Sequence, residues 1–147
     1  MTFHPEVLRF LRDDGVPVRP VNGWEQRGGE SFNPRASINH HTAGGSGLAP
    51  SLGICVRGRG TPGAPGYLPG PLCHVLQSRE VDPATGLDVC YLIAAGTANH
   101  AGKGGWKGLS GNASVWGLEI EHRGTVAEPF PASRRETAVR VHAAFAR

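Results

Sequence analysis

Ile38–Gly45, with the sequence INHHTAGG, is the stretch around which the rest of the chain is organised. A short apolar lead-in precedes two adjacent histidines, and small residues follow at which a backbone can approach a ligand closely. Successive side chains of an extended segment point to opposite faces, so His40 and His41 cannot both face one ion. Because neutral imidazole is the commonest transition-metal ligand, one of the two is a candidate metal ligand. Two hydrogen-bonded histidines at the end of a strand would explain the same residues.

The size and composition of the chain indicate a single domain spanning residues 1–147. Its 22 glycines and 12 prolines predict many loops, and no run of about 20 apolar residues suits a membrane-spanning helix. The N-terminus lacks the pattern of a secretory signal peptide, so we expect synthesis in the cytoplasm and no membrane partner. The three cysteines form no C-x-x-C pair and are odd in number, which favours free, buried thiols.

The charge balance is mildly basic. A net charge of +3 and an isoelectric point near 9.1 favour a polyanionic partner, such as nucleic acid or an acidic cell-surface polymer. However, 15 basic residues stand against 12 acidic ones without a long Lys/Arg run, which is typical of an ordinary solvated surface. A nucleic-acid binder has only the isoelectric point in its favour, and we expect no nucleic-acid partner.

Hydrophobic periodicity and turn residues predict an α/β fold with a mixed central β-sheet flanked by helices. The predicted elements are a helix within 4–15, a strand entered over 35–39, one or two helical turns over 51–57, strands over 72–77 and 87–94 joined by a turn at 82–86, a strand over 114–121 and a helix over 131–147. Segments 16–33, 58–71 and 95–113 are predicted to be irregular, and 58–71 to be a surface loop beside a cleft.

A few residues are expected to fix these elements in place. The first and last helices each present an apolar face, formed by Val7, Leu8 and Leu11 in the first and by Ala138, Val141 and Phe145 in the last. Ser133 and Glu136 stand at capping-box spacing near the start of the last helix. Trp24 is predicted to anchor the irregular segment that precedes the first long strand.

The predicted strand over 114–121 carries two carboxylates on one face. Alternation separates Val115, Gly117, Glu119 and Glu121 from Trp116, Leu118 and Ile120, which would face the core. Both glutamates therefore point outward, and a solvated sheet face explains them as well as a site does. If that face lines a cleft with His40, then Glu119 is the carboxylate nearer the metal. It would take a proton from metal-bound water and pass it to a leaving amine.

Thr97–Gly102 places His100 in a loop of small residues that can approach a substrate closely. A histidine in a loop is commonly just solvated. Lys103, Trp106 and Lys107 follow, offering charge for an anionic group and an aromatic face for a sugar or a peptide. This stretch is not a phosphate-binding loop, because it lacks a Gly-Lys-Ser/Thr ending and opens no helix. Nor does the chain contain His-Glu-x-x-His, Gly-x-Ser-x-Gly or a paired-cysteine zinc module.

Four short motifs, in this order, resemble those of the zinc-dependent N-acetylmuramoyl-L-alanine amidases, the type 2 amidase and peptidoglycan-recognition-protein family. They are Ile38–Gly44, Leu72–Leu76 with the hairpin that follows, Asn99–Gly102 and Trp116–Glu121. Each is weak singly, but four motifs in the same order with similar gaps are a strong signal, and the resemblance extends over nearly the whole chain. The chain looks most like the lysins of phages that infect actinobacteria. The resemblance implies hydrolysis of the amide that joins N-acetylmuramic acid to the L-alanine of the stem peptide in the bacterial cell wall.

The resemblance also assigns roles at the matching positions. It makes His40 the first zinc ligand and Glu119 the catalytic acid/base, with His100, Asn99, Trp106 and His41 near or in contact with the substrate. The implied cofactor is Zn²⁺, which polarises the scissile carbonyl and lowers the pKa of a bound water from about 16 towards about 7. The implied partner is peptidoglycan, bound by a monomer.

The sequence departs from the family pattern after its last predicted helix. The family places two more zinc ligands there, a histidine and then an aspartate or cysteine, whereas this sequence ends at Arg147. We therefore expect a domain truncated at its C-terminus that binds zinc poorly and has little or no activity of its own. His122, of opposite parity to Glu119, and His142, which has no suitably spaced partner, are poor substitutes. The alternative to an enzyme is a module that binds peptidoglycan without hydrolysing it.

Overall fold

The chain has a mixed α/β fold, as predicted, with one central sheet and helices on both of its faces. The computed structural model describes residues 3–45 and 47–147. The strands of the central sheet, in their order across it, are β1 (Val18–Pro20), β6 (Asp88–Leu92), β5 (Val75–Val81), β9 (Val115–Ile120) and β2 (Ala36–His41). The helices are α1 (Val7–Asp13), α2 (Leu48–Arg57), the one-turn α3 (Gly111–Ser114) and α4 (Ala132–Phe145).

The pairing pattern brings distant segments together. β5 and β6 are antiparallel and form the predicted hairpin, whose turn is closed by hydrogen bonds from the backbone and hydroxyl of Thr85 to the Asp82 carboxylate. The pairs β1–β6, β5–β9 and β9–β2 are parallel. Because β2 pairs only with β9 in this sheet, the His40 end of β2 lies at the sheet edge, where a cleft can form beside it.

Two hydrophobic clusters sandwich the sheet. The first lies under α1 and α4 and includes the buried side chains of Val7, Leu11, Trp24, Trp116, Leu118, Ile120, Val141 and Phe145. The second lies under α2 and includes Cys55, Cys73, Leu76, Ile93 and Ala94. The predicted alternation along β9 is therefore confirmed, since Trp116, Leu118 and Ile120 face the first cluster. The predicted apolar faces of the terminal helices and the anchoring role of Trp24, which is 7% exposed, are confirmed as well.

Several boundaries differ from the sequence-based expectation. Segment 16–33 is not wholly irregular, because β1 pairs with β6 and Trp24–Gln26 forms a short 3₁₀ turn. Helix α2 begins at Leu48, earlier than predicted, and includes Pro50 in its first turn. Proline is tolerated there because the backbone N–H groups of a first turn have no partner within the helix.

The prediction of a capping box is wrong. Helix α4 begins at Ala132 with Pro131 at the N-cap and no side-chain cap, so Ser133 lies inside the helix. The two glycine-rich loops are also more ordered than predicted, since each contains a hairpin of two-residue strands. These are β3 (Gly58–Arg59) with β4 (Leu68–Pro69), and β7 (Gly105–Trp106) with β8 (Leu109–Ser110).

Two further expectations concern the cysteines and the membrane. Cys55, Cys73 and Cys90 are all buried and free. Burial raises the pKa of the Cys73 and Cys90 thiols well above the ordinary range, which is typical of inert, structural cysteines. None of the helices in the described part of the chain has both the length and the apolar character that crossing a bilayer requires.

Candidate active site

His40 and Glu119 lie side by side on neighbouring strands. In the parallel pair β2–β9 the Cα of His40 stands opposite that of Glu119, and Leu76 of β5 stands on the other side of Glu119. Paired residues of adjacent strands point to the same face of a sheet, so the imidazole and the carboxylate project together. Both line a cavity of about 380 Å³ beneath α2 and beside the loop after β2.

The cavity gathers most of the residues that the sequence singled out. Five of the six lie on its wall, namely His40, His41, Asn99, His100 and Glu119. The opposite wall is formed by α2 and the β3–β4 hairpin, with Ser51, Ile54, Cys55, Arg59 and Leu68. The hairpin belongs to segment 58–71, which was predicted to lie beside a cleft, whereas the contribution of α2 was not foreseen. On this wall the large apolar side chain of Ile54 is 44% exposed, a feature that only the structure reveals.

Glu119 is a desolvated carboxylate. Burial raises its pKa from 4.5 to about 7, because removal from water disfavours the charged form. No hydrogen bond or ion pair joins the Glu119 carboxylate to another residue of the described chain, so nothing offsets that effect. A carboxyl group that titrates near neutral pH can both accept and donate a proton under physiological conditions.

His40 and His100 form a hydrogen-bonded pair within the cavity. His40 Nε2 lies 3.1 Å from His100 Nδ1, and His100 Nε2 lies 2.8 Å from the backbone oxygen of Val115. Since a carbonyl only accepts, His100 Nε2 carries the proton in the neutral ring and Nδ1 accepts from His40 Nε2. Burial lowers the pKa of both imidazoles, and the mutual proximity of the two rings lowers that of His100 further. Both rings are therefore neutral at pH 7.

Gly117 allows His100 to lie over strand β9. A Cβ atom at this position would come within 2.7 Å of His100 Cγ, so only glycine leaves room for the ring. The backbone of Gly117 also holds a third histidine, because its N–H donates to His74 Nδ1 at 2.8 Å. His74 is fully buried, and its ring stacks on Phe32 with centroids 4.5 Å apart. His74 therefore supports the site from the core side and does not line the cavity.

Trp106 does not line the cavity of Glu119. It lies on β7, is 65% exposed and contacts Lys107, whose Nζ is 4.6 Å from the ring centroid. It lines a neighbouring, largely apolar cavity of about 550 Å³ whose wall also includes His40 and His100. The two imidazoles thus separate two adjoining cavities, with Glu119 on one side and Trp106 on the other.

Glu121 contradicts the expectation that both glutamates point outward. It is 1% exposed, and its carboxylate accepts a hydrogen bond from the backbone N–H of Arg79 at 3.2 Å. Its other oxygen lies 3.8 Å from the Arg79 guanidinium. His122 and His142 also stay outside the cavity, since His122 contacts the Glu128 backbone and His142 contacts the Ser37 hydroxyl.

The described residues do not form a three-ligand metal site. Within 3–45 and 47–147, no group of three or more His, Cys, Asp or Glu side chains is placed to hold an ion. A catalytic zinc site takes three protein ligands and one water. His40 and His100 supply two nitrogen donors, so these residues alone do not build the site that the family resemblance implies.

No family model, no curated protein and no solved structure matches this chain. Any assignment of function therefore depends on the residues and geometry described above.

Proposed function

We propose that the chain is the catalytic domain of a peptidoglycan hydrolase that cleaves the amide between N-acetylmuramic acid and the L-alanine of the stem peptide. The observation that carries this proposal is the pairing of His40 with Glu119 in register across β2 and β9, on the wall of one cavity. The four motifs that suggested this amidase family place the same two residues at its metal-binding and acid/base positions. The proposal also assigns the chain the fold type of the amidases and peptidoglycan-recognition proteins. The observation behind this assignment is the mixed central sheet with helices on its faces.

Glu119 is the proton carrier in this proposal. With a pKa of about 7, its carboxylate form removes a proton from the attacking water as the water oxygen bonds to the amide carbon. The resulting carboxylic acid then donates the proton to the leaving nitrogen as the C–N bond breaks. The products are a lactyl carboxylate on the sugar and a free amino group on L-alanine. Burial of Glu119 is what allows one group to serve in both steps.

The two adjoining cavities match a substrate that has two chemically different ends. The cavity beside Glu119 has polar groups from Asn99, His41 and Arg59 on its wall, which suit the peptide and its carboxylates. The cavity beside Trp106 is mostly apolar and offers an aromatic face, which suits a sugar ring. His40 and His100, between them, would stand at the scissile bond.

The proposed cofactor is Zn²⁺, with His40 as one ligand. When bound, the metal would polarise the carbonyl and acidify the attacking water. The described residues do not complete a three-ligand set, so no catalytic step is assigned to the metal here. The residues of this chain have three roles in the proposal. Glu119 holds the proton, the buried surroundings of His40 and His100 keep both imidazoles neutral, and the cavity walls line the path of the substrate.

The test is incubation of the purified chain with bacterial cell walls, with and without added ZnCl₂, followed by chemical labelling of new amino termini. The proposal expects N-terminal alanine to be released in proportion to time, at a low rate because the described residues do not complete a three-ligand metal set, together with muramoyl glycan that has lost its peptide. Release of reducing sugar without new N-terminal alanine would instead identify a glycosidase and contradict the proposal. We expect the substrate to be met at the cell wall, and the protein to act as a monomer.

A second candidate function is a peptidoglycan-binding module without hydrolytic activity. The observation that favours it is the lack of a three-donor group among the residues described by the structure. Co-sedimentation with cell walls without any release of N-terminal alanine, at every ZnCl₂ concentration, would support the module. Release of alanine termini would exclude it.

A further inference from the structure

The pair formed by His40 and His100 has the arrangement of two ligands to one metal ion. We propose that His100 is a second metal ligand and that its Nδ1, together with His40 Nε2, binds a divalent transition-metal ion, Zn²⁺ in the first instance. What the bound ion would do rests on the proposed function. The inference gives His100 a role as a ligand, in place of contact with the substrate. The arrangement itself is independent of which reaction the site performs.

The hydrogen bond on the far side of His100 is the first argument. A histidine that binds a metal through one ring nitrogen almost always donates its other N–H to a carbonyl or a carboxylate. His100 Nε2 donates to the backbone oxygen of Val115 at 2.8 Å, so its Nδ1 lone pair is fixed toward His40. The ring is thus already held in the tautomer and orientation that a ligand needs.

The separation of the two donors is the second argument. Zinc–nitrogen bonds of 2.0–2.1 Å at a tetrahedral angle put two ligand nitrogens about 3.3 Å apart. His40 Nε2 and His100 Nδ1 are 3.1 Å apart. Their rings are inclined at 60° with centroids 5.3 Å apart, so the rings meet by their edges and are not stacked. Replacement of the shared proton by an ion requires His40 to move its own proton to Nδ1 and both rings to turn slightly.

A neighbouring histidine shows why these two are the donors. The ring of His74 lies 5.6 Å from that of His100, but its Nδ1 accepts the backbone N–H of Gly117 and the side chain is fully buried. Its Nδ1 lone pair is therefore already used. His40 and His100, in contrast, both line the open cavities, and Glu119 adds a carboxylate to the wall of one of them. An ion can reach the pair from solvent, and a carboxylate in the same cavity favours a cation.

The experiment is calorimetric titration of the whole chain with ZnCl₂, repeated with CoCl₂ to record the visible absorption of the bound ion. Two imidazole ligands predict one ion per chain, with a dissociation constant of about 1–100 µM, because half of a four-ligand set is present. H40A and H100A should each weaken binding by a factor of about 10 or more. H100Q keeps an amide that can donate to Val115 but is a poor ligand for zinc, so it should weaken binding equally while preserving the local structure.

His122 provides the matched control, because it is also a half-buried histidine near the end of β9 but lies outside the cavity. H122A should bind zinc and cobalt as the wild type does. Equal affinity of wild type and H100Q, with both chains folded by circular dichroism, would overturn the inference, as would the absence of one-to-one binding by the wild type. Zinc binding that depends on both histidines without amide cleavage would support the inference and contradict the proposed function. Amide cleavage by the wild type, together with zinc binding by H100Q that equals that of the wild type, would contradict the inference and support the proposed function.

Discussion

Glu119 and Glu121 lie two residues apart on strand β9, with side chains on the same side of the alternation, yet they have opposite environments. Glu121 is 1% exposed and is paired with Arg79, which in turn binds Glu128 at 2.7 Å. Glu119 is less deeply buried, has no such partner in the described chain, and has a pKa raised to about 7. Removal of the partner of a buried carboxylate is strongly destabilising, whereas a desolvated carboxylate without a partner, on the wall of a cleft, is a candidate for proton transfer.

The paired region extends well beyond Glu121. The Glu128 carboxylate has its pKa lowered to about 2, chiefly by its hydrogen bonds from Arg79. Asp88, which is fully buried, accepts hydrogen bonds from Arg134 at 3.0 Å and from Gln77 at 3.1 Å. This network ties α4 and the segment after β9 to the central hairpin. The candidate active site, at the edge of the same sheet, contains no comparable ion pair among the described residues.

The largest expected effect is on catalysis at the unpaired carboxylate. Glu119→Gln keeps the shape of the side chain but removes its ability to carry a proton, so we expect the rate of amide cleavage to fall by about 10²–10⁴-fold. Zinc should still bind, because the proposed ligands are His40 and His100, and the variant should be no less stable than wild type at neutral pH, because the Glu119 carboxylate has no partner to lose among the residues that the structure describes. Release of N-terminal alanine from cell walls measures the rate. Equal activity of Glu119→Gln and wild type would refute the role assigned to Glu119.

The next largest effect is on stability, in the buried network around Asp88. Arg134→Met leaves the Asp88 carboxylate buried without its cation, and we expect the free energy of unfolding to fall by about 3–5 kcal/mol. Arg134 is 6% exposed, whereas its neighbour Arg135 is exposed, so Arg135→Met is the matched control and should change stability little. Urea denaturation of both variants measures the difference. Similar losses in the two would show that the network does not depend on its buried cation.

The pH dependence of stability separates the two carboxylates. Because the folded-state pKa of Glu119 is raised from 4.5 to about 7, its contribution to stability is fully present below pH 4.5 and is lost as pH rises through 7. The full loss amounts to at most about 3 kcal/mol. The lowered pKa values of His40 and His100 act in the opposite direction over part of this range, so the informative quantity is the difference between wild type and Glu119→Gln.

In that comparison the Gln variant should gain stability relative to wild type between about pH 5 and pH 8. Urea midpoints at each pH provide the measurement, and the matched variant is Glu121→Gln. Since Glu121 is paired, its replacement should destabilise the chain at every pH above neutrality. A constant difference between Glu119→Gln and wild type across the range would mean that the Glu119 carboxyl is not desolvated in the folded chain.

The contrast also explains how far the sequence could lead. Alternation along 115–121, a local pattern, predicted the core face of β9. The cleft shared by His40 and Glu119 was a conditional expectation that came from the order of the four motifs in the family resemblance, because no local pattern relates two residues on different strands. The burial of Glu121 was not predictable, because it depends on Arg79, which lies 42 positions earlier in the chain. Nor was the contact of His100 with His40, because the direction of a glycine-rich loop is set by packing over Gly117 and not by periodicity.

The short elements were missed for a related reason. Strand β1 has only three residues, one of them Pro20, and it forms because the exposed edge of β6 offers backbone partners. Such a strand leaves no alternation to detect. The capping-box pattern at Ser133 and Glu136 was present in the sequence, but α4 begins at Ala132, with Pro131 extended at the N-cap, so Ser133 falls inside the helix. A tertiary partner decided the first case, and in the second the N-cap lies two residues before the position that the pattern marked.

The smallest expected effect concerns an ion pair at the surface. Glu136 and Arg140 stand four residues apart on α4 with a 2.8 Å contact, and their side chains are 52% and 40% exposed. Water already solvates both charges, so Glu136→Gln should lower the free energy of unfolding by only about 0.3–0.5 kcal/mol, and less in high salt. Urea denaturation at low and high ionic strength is the measurement. A loss as large as that of Arg134→Met would mean that burial does not explain why the ion pair of Arg134 with Asp88 contributes more to stability than a surface pair.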